Sequence, residues 1–355
     1  MHKPEIHTGI IGCGKMGKDL FDWLTGFPFA ITWVCHTEEK AGRLKEAFVK
    51  KQNRALKYGL TDKETISFRT KNTVITSQLE KLTHCDIVLE TITEDVDRKR
   101  ALFRQLELIL PKMSVLASNT SSIPPDKLFS GLTIERNSLG LHFFSPVAMK
   151  NMVEINVAPN TSTQAVAKTE EFLKRTNKFY LKLTENDHFI INRIFLKMQA
   201  GCCRLLREGA MEVQEIDTLV KKHLFPIGVF EFFDYVGNDV MWQSVKNYMA
   251  YEKNPDFYRP MIEILEQKVK EEKLGKKTKE GFYDYPVKTA SSNTEITPKQ
   301  QDALLQITRW YLDGVFDVLN RKICIKKELE FLVTEYMQVE KSPFDLAKEV
   351  GYLRQ

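Results

Sequence analysis

The chain has 355 residues, 43% of them hydrophobic, which is enough for roughly two or three globular domains with buried cores. Its 52 basic and 47 acidic residues are interspersed and give a net charge of +5, without the basic stripe or tail that nucleic-acid binding requires. Its six cysteines show no CxxC spacing, which argues against a disulfide framework and against a metal site. Because neither a leader-like segment nor an apolar run of membrane-spanning length is found, we expect a soluble cytoplasmic protein, with the mitochondrial matrix and the peroxisome left open.

The first predicted elements are a strand, a glycine-rich turn and an amphipathic helix. Residues 7–11 (HTGII) are typical of the strand. The six residues of the following G-x-G-x-x-G turn are Gly12, Cys13, Gly14, Lys15, Met16 and Gly17. Between a strand and a helix this pattern predicts a dinucleotide site, in which Gly14 lets the backbone approach a pyrophosphate and the helix N-terminus offers it free N–H groups.

The second predicted strand, residues 31–34, bears on which dinucleotide is bound. An acidic residue at the end of this strand commonly holds the adenosine ribose hydroxyls, but Cys35 occupies that position and His36 follows it. Without a carboxylate, the site lacks the charge that rejects a 2′-phosphate. From these residues alone, the choice between NAD and NADP therefore stays open.

Three further predicted strands carry polar residues within them or just after them. Residues 114–117 lead into a run of hydroxyl side chains (SNTSS), residues 139–143 contain His142, and residues 153–157 contain Glu154. In open α/β sheets, binding groups lie beyond the carboxyl ends of the strands. A histidine that a carboxylate orients can take a proton from an alcohol near neutral pH, although a histidine packed in the core is the alternative reading.

With these motifs, residues 9–285 resemble the short-chain L-3-hydroxyacyl-CoA dehydrogenases, which also occur as a module of fatty-acid oxidation multienzymes. The resemblance rests on GxGxxG, VLETITEDVDRKR, LASNTSSI, GLHFFSPVAMKNMVEI, INRI, FDYVG and GKKTKEGFYDY. It implies an α/β Rossmann-like dinucleotide-binding domain followed by one or more all-α domains. It also implies hydride transfer between NAD(H) and C3 of an (S)-3-hydroxyacyl-CoA or 3-oxoacyl-CoA, as in fatty-acid β-oxidation, with the acyl-CoA as the substrate.

The resemblance implies catalytic roles for four residues. His142 resembles the family's general base, and Glu154 resembles the carboxylate that orients it. Ser121 resembles the hydroxyl that binds the substrate oxygen and touches the cofactor, and Asn192 resembles the amide that completes the substrate site. In this scheme the C3 hydroxyl loses its proton to the imidazole while hydride leaves C3 for the nicotinamide.

Three more residues, Glu94, Lys99 and Lys277, resemble cofactor contacts of the family. The chain departs from the family at two other cofactor positions. Ser145 stands where the family commonly has an asparagine that touches the nicotinamide, and Cys35 replaces the ribose-binding aspartate. Both departures bear on cofactor choice and affinity, but they leave the proton-transfer pair in place.

The C-terminal half is predicted to be helical. The predicted domains are residues 1–186 for the dinucleotide, residues 187–287 for a helical substrate and dimerisation domain, and residues 288–355 for a degenerate second copy of that helical domain. The run ITRWYLDGVFDVLNRK in the last segment echoes INRIFLKMQAGCCRLLRE, with Thr308 in place of Asn192. In short family members the helical domain forms a homodimer, so the second copy is expected to substitute for the partner; monomer and homodimer both stay open.

Two other functions remain as alternatives. A dehydrogenase of a non-CoA 3-hydroxy acid would keep the fold and the histidine–carboxylate pair, but the HFFSP run argues against it. A catalytically weakened protein that only binds CoA or a dinucleotide belongs to a different functional class. The replacements at Cys35 and Ser145 are what motivate that second alternative.

Overall fold

The computed structural model describes residues 4, 6–184, 189–249, 252, 254–286 and 296–352. Contacts between residues divide the chain into two compact units, Met1–His188 and Phe189–Gln355. The first unit is a Rossmann-like α/β domain and the second is built mainly of helices, so the predicted fold class is confirmed. The domain boundaries predicted at residues 187 and 288 fall outside the described residues.

A single twisted sheet forms the centre of the first unit. Its strands are β1 (His7–Ile11), β2 (Ala30–Val34), β3 (Thr73–Thr76), β4 (Ile87–Glu90), β5 (Val115–Ser118), β6 (Ser138–Phe143), β7 (Met152–Val157) and β8 (Phe179–Thr184). They lie in the order β3-β2-β1-β4-β5-β6-β7-β8, and all neighbours are parallel except β6 and β7. The strand order reverses between β1 and β4, and in such sheets the ligand crevice lies outside the carboxyl ends of the strands at that point.

Helices pack on this sheet and form two apolar clusters with it. The helices are α1 (Lys15–Leu24), α2 (Glu38–Lys57), α3 (Lys63–Lys71), α4 (Val96–Leu106), α5 (Pro125–Phe129) and α6 (Thr163–Arg175). One cluster contains Leu20 of α1 and Phe172 of α6, and the other contains Phe103 of α4 and Leu128 of α5. Because helices cover the central strands, β4 and β5 are buried along their whole length. Asp95 begins α4 as its cap, since its carboxylate accepts the backbone N–H three residues on.

The second unit contains a series of helices in its described part. They are α7 (Ile190–Arg207), α8 (Val213–His223), α9 (Val229–Val236), α10 (Asn238–Met249), α11 (Arg259–Lys270), α12 (Pro298–Asn320), α13 (Lys326–Met337) and α14 (Pro343–Glu349). Helix α7 is long and mostly buried, and it packs along α12. Across the described ranges of both units, no helix has the length and apolar character needed to cross a membrane.

Two buried carboxylates hold together the part of the second unit that contains the FDYVG and GFYDY motifs. Asp234 accepts the backbone N–H groups of Phe282 and Tyr283, both at 2.9 Å, and the hydroxyl of Tyr285 at 3.0 Å. Asp217 accepts the Tyr283 hydroxyl at 2.8 Å. A buried carboxylate that receives several N–H and O–H donors is stably accommodated. These two motifs therefore have a structural role.

The contact between α7 and α12 has an approximate two-fold character. When INRI is aligned with ITRW, Phe195 corresponds to Tyr311 and Lys197 corresponds to Asp313. The rings of the first pair stack with centroids 5.6 Å apart, and the second pair forms an ion pair with a nitrogen–oxygen distance of 2.6 Å. Each residue therefore contacts its own counterpart, which happens near the axis of a two-fold interface.

Two glycines let these helices approach closely. A Cβ placed on Gly201 of α7 would lie 2.0 Å from the ring of Trp310, and a Cβ on Gly314 of α12 would lie 2.4 Å from the carbonyl oxygen of Ile194. A larger residue at Gly201 would require the Trp310 ring to move, and one at Gly314 would require the backbone of α7 to move. Helices α7 and α12 are thus fitted to one another.

Candidate active site

The site is centred on a pair of side chains from two antiparallel strands. His142 of β6 lies directly opposite Glu154 of β7, so both side chains emerge on the same face of the sheet. Nδ1 of the imidazole is 2.7 Å from Oε2 of the carboxylate. The side chains are 8% and 0% exposed. In this geometry Nδ1–H donates to the carboxylate, and Nε2 is left as the basic nitrogen.

The SNTSS run follows β5 and wraps around the carboxylate of Glu94. The Glu94 carboxylate accepts the hydroxyls of Thr120 and Ser122 at 2.5 and 2.9 Å. It also accepts the backbone N–H groups of Ser121 and Ser122 at 2.9 and 3.0 Å. Burial by itself would raise the pKa of Glu94, but the neighbouring ammonium of Lys99 and these donors hold it below its ordinary value. Glu94 is therefore ionised and fixes the backbone of the loop that carries Ser121.

Beneath that loop, Lys99 joins two carboxylates. Its Nζ donates to both oxygens of Glu90 at 2.7 and 2.9 Å and lies 3.4 Å from Glu94. The Ser118 hydroxyl donates to Glu90 at 2.6 Å. Burial opposes the charge on Lys99, yet the two carboxylates raise its pKa above the ordinary value. The predicted cofactor residues Glu94 and Lys99 thus belong to a buried network, and their contact with a cofactor stays a prediction.

The glycine turn leaves room where a diphosphate would lie. Gly12 has a φ of +108°, which favours glycine, and a Cβ there would lie 2.6 Å from the Thr91 hydroxyl. A Cβ on Gly17 would lie 2.1 Å from the carbonyl oxygen of Gly12, whereas one on Gly14 would meet no described atom within 4 Å. Helix α1 begins at Lys15, immediately after this open position. The turn and the N-terminus of α1 therefore fit the diphosphate of a dinucleotide.

At the end of β2, the predicted ribose position offers no charge. Cys35 is 3% exposed. Burial is the main cause that raises the pKa of its thiol to about 12, and the neighbouring Cys13 adds to this effect. The thiol is therefore neutral near pH 7. The neighbouring His36 is exposed, and its Nδ1 lies 3.4 Å from the sulfur of Cys13. His36 was not among the predicted site residues, although its place after β2 is the signal that could have identified it.

Ser145 and Asn119 form two contacts that the sequence did not reveal. The Ser145 hydroxyl donates to the Asp19 carboxylate of α1 at 2.6 Å. The Asn119 side-chain oxygen accepts the backbone N–H of Phe143 at 2.9 Å, which ties the SNTSS loop to β6 next to His142. The only sequence signal for Asp19 is an acidic residue inside the helix that follows the glycine turn.

The two remaining predicted residues lie in the second unit. Asn192 is the third residue of α7, and the ammonium of Lys277 pairs with the carboxylate of Asp239. Their proximity to the cofactor and to His142 stays a prediction. Within the described ranges, no group of three or more His, Cys, Asp or Glu side chains is arranged to hold a metal ion.

Two family descriptions match the chain over most of its length. Residues 7–186 match "3-hydroxyacyl-CoA dehydrogenase, NAD binding domain", and residues 189–285 match "3-hydroxyacyl-CoA dehydrogenase, C-terminal domain". The mitochondrial hydroxyacyl-coenzyme A dehydrogenase of Mus musculus is 29% identical over 289 residues, which cover 79% of this chain and 91% of the mouse protein. A probable 3-hydroxybutyryl-CoA dehydrogenase of Deinococcus radiodurans is 30% identical over 280 residues, covering 78% and 99%.

Solved structures show the same likeness. The crystal structure of FadB2 from M. tuberculosis covers 78% of this chain and 98% of its own, at 28% identity and a TM-score of 0.70. The 3-hydroxybutyryl-CoA dehydrogenase of Escherichia coli covers 98% of this chain and 92% of its own, with a TM-score of 0.79. At 16% identity that second likeness shows the fold alone, and it extends into the C-terminal helices. The chain therefore belongs to the 3-hydroxyacyl-CoA dehydrogenase family, the NAD-dependent oxidoreductases that its motifs predicted.

Proposed function

We propose that the chain oxidises the C3 hydroxyl of an (S)-3-hydroxyacyl-CoA to the 3-oxo form, or catalyses the reverse, with His142 as the general base. The observation that carries the proposal is the buried contact of 2.7 Å between His142 and Glu154. The nicotinamide of NAD supplies the hydride acceptor when it is bound. The chain's own side chains then have to move one proton and hold one oxygen.

The proton moves to Nε2 of His142. Because Nδ1–H donates to Glu154, Nε2 carries the lone pair that takes the hydroxyl proton. Glu154 is fully buried, so its charge acts on the new imidazolium with little screening by water. Assistance by such a base is typically worth about 10²–10⁴ in rate.

The oxygen is proposed to bind Ser121. Support comes from Glu94, which fixes the backbone of Ser121 at the end of β5, and from Asn119, which ties the same loop to the strand of His142. A donor held in place in this way stabilises charge that develops on the oxygen. Asn192 enters the proposal as a second donor on the strength of the family resemblance.

Turnover of acetoacetyl-CoA with NADH tests this function. The same assay with NADPH tests whether the site, with Cys35 in place of a carboxylate, accepts a 2′-phosphate. We expect NADH oxidation with acetoacetyl-CoA and little or none with free acetoacetate. Turnover of acetoacetate would favour the non-CoA alternative. Binding of NADH without turnover of either compound would favour the catalytically weakened protein.

We also propose that α12 takes the place that a second subunit's α7 would take in a homodimer. Support comes from the pairing of corresponding residues, Phe195 with Tyr311 and Lys197 with Asp313. In a symmetric dimer through α7, Lys197 would face Lys197 of the other copy, and like charges would oppose association. Light scattering should therefore give the mass of one chain, 41.2 kDa. A mass of two chains with crosslinks between two α7 helices would overturn this proposal.

We propose a cytoplasmic location for the chain. The six cysteines are all free, which supports a reducing compartment such as the cytoplasm over an oxidising one. Fractionation of cells that express the full-length protein tests it, and recovery with mitochondria or peroxisomes would contradict it.

A further inference from the structure

The contact between Ser145 and Asp19 joins two elements of the site. The Ser145 hydroxyl donates to the Asp19 carboxylate at 2.6 Å, across 126 residues of sequence. Both residues are half-buried. Within the described residues, no lysine, arginine or histidine nitrogen forms an ion pair with Asp19, whereas Asp22 on the same helix pairs with Lys51 at 2.8 Å. In the described part of the chain, the Ser145 hydroxyl is thus the side-chain group that contacts the Asp19 carboxylate.

This contact lies between the proposed diphosphate turn and the proposed base. Asp19 is on α1, about 6 Å along the helix axis from its first residue, Lys15. One turn later, Trp23 packs against the ring of Phe143 with centroids 5.4 Å apart. One face of α1 thus packs against the end of β6, where the chain passes from His142 to Ser145.

A hydroxyl group has one proton and two lone pairs. Since the proton of Ser145 is committed to Asp19, the Ser145 oxygen can only accept further hydrogen bonds. The carboxamide of a nicotinamide offers an NH₂ group, which is a donor. The side-chain oxygen of an asparagine accepts hydrogen bonds without help from a neighbour. The hydroxyl of Ser145 takes the same acceptor role because Asp19 binds its proton.

We propose that Asp19 is a positioning residue that makes Ser145 an acceptor for the nicotinamide carboxamide, and that its charge favours the oxidised, positively charged ring over the neutral reduced ring. This inference rests on the proposed function, because it needs the nicotinamide next to His142. A purely structural contact between α1 and β6 would stabilise the fold without distinguishing NAD⁺ from NADH.

The test compares the affinities of the two cofactor forms in Asp19→Asn and Asp22→Asn. Both substitutions remove one charge from α1 and keep the size of the side chain, but Asp22 is already paired with Lys51. NADH affinity is measured by fluorescence and NAD⁺ affinity by calorimetry, with circular dichroism as the check on folding. For Asp19→Asn we expect the dissociation constant of NAD⁺ to rise about three- to tenfold relative to that of NADH, the scale of one charge acting over several ångströms in a partly solvated site. For Asp22→Asn the ratio should equal that of the wild type.

A third variant, Ser145→Ala, separates the two parts of the proposal. It removes the acceptor and keeps the charge, so both cofactor forms should bind more weakly with little change in their ratio. If Asp19→Asn behaves like Asp22→Asn, or weakens both forms equally, the inference is overturned while the proposed function stands. If the wild type binds neither form, the proposed function itself fails.

Discussion

The carboxylate of Glu94 accepts the backbone N–H of Ser121 at 2.9 Å. This contact links a buried charge network to the residue that is proposed to bind the substrate oxygen. Lys99 lies on the other side of the same carboxylate, so the position of the loop depends on a group that need not touch the substrate. Changes at Glu94 should therefore affect stability and turnover together.

Glu94→Gln should lower the free energy of unfolding by about 3 kcal/mol, because it breaks a buried ion pair with Lys99. The effect is near the lower end of the usual range, since Lys99 keeps its second partner, Glu90. It should also reduce kcat through the loosened loop at Ser121. Urea denaturation and acetoacetyl-CoA kinetics measure the two effects. Glu107→Gln is the control, since Glu107 likewise accepts a backbone N–H and a hydroxyl, both from Thr133.

That control should change the free energy of unfolding by no more than about 1 kcal/mol and leave kcat unchanged. If Glu94→Gln is as mild as the control in both measurements, the network does not hold the loop.

The contribution of Glu94 to stability should also depend on pH. Its pKa in the folded protein is below the ordinary value of 4.5, so the unfolded chain takes up the proton more readily. The stabilisation by Glu94 is therefore complete at pH values above the pKa that this carboxyl has in the unfolded chain. It is lost as the pH falls through the pKa of the same carboxyl in the folded protein. The difference in unfolding free energy between wild type and Glu94→Gln should be constant from pH 7 to about pH 5 and should narrow in more acidic urea titrations. A difference that widens towards acid would contradict this sign.

The glycines of the turn should separate folding from cofactor binding. Gly17→Ala places a Cβ 2.1 Å from a carbonyl oxygen and should cost about 1–3 kcal/mol of stability. Gly14→Ala meets no described atom within 4 Å, so it should fold normally and bind NADH more weakly, because its methyl group occupies the diphosphate position. Thermal denaturation and NADH fluorescence measure the two outcomes.

Gly42→Ala is the control, since Gly42 is a helical glycine of α2 with open space around it. It should stabilise the protein by about 0.5–1 kcal/mol. Unchanged NADH affinity in Gly14→Ala would argue against a diphosphate at this turn.

The ion pair between α7 and α12 can be tested by exchanging its charges. Lys197→Asp and Asp313→Lys each place like charges together and should destabilise the chain. The double exchange should recover about 0.5–1 kcal/mol, the scale for a partly exposed pair. Urea denaturation of the four proteins gives this coupling energy. Additive effects of the two single changes would show that the pair does not hold the helices together.

Local patterns in the sequence were sufficient for much of the fold. The strand, turn and helix around Gly12 and the strands that contain His142 and Glu154 are all found as predicted, because each combines an apolar period with a recognisable boundary. Strand β3 was not predicted, since it is a short strand at the edge of the sheet in which only Thr76 is buried. Strand β8 was not predicted either, although the alternation of leucine and polar residues in its second half is a strand signal.

The parts of the site that escaped prediction depend on contacts between distant residues. Nothing near Asp19 in the sequence indicates a partner at Ser145, and the resemblance that names Lys99 as a cofactor contact does not indicate that this lysine is buried. Only the fold shows that Lys99 is 1% exposed between two carboxylates. The contact between His142 and Glu154 is different, because strands joined by a short connection commonly pair and bring their residues together.

The most direct test of the proposed chemistry is the kcat of His142→Gln with acetoacetyl-CoA and NADH, measured beside His84→Gln, which changes an exposed histidine. We expect His142→Gln to lose about 10²–10⁴ in kcat while its NADH affinity stays near that of the wild type, and His84→Gln to match the wild type in both. If His142→Gln keeps turnover close to that of His84→Gln, His142 is not the base and the account of the site is wrong.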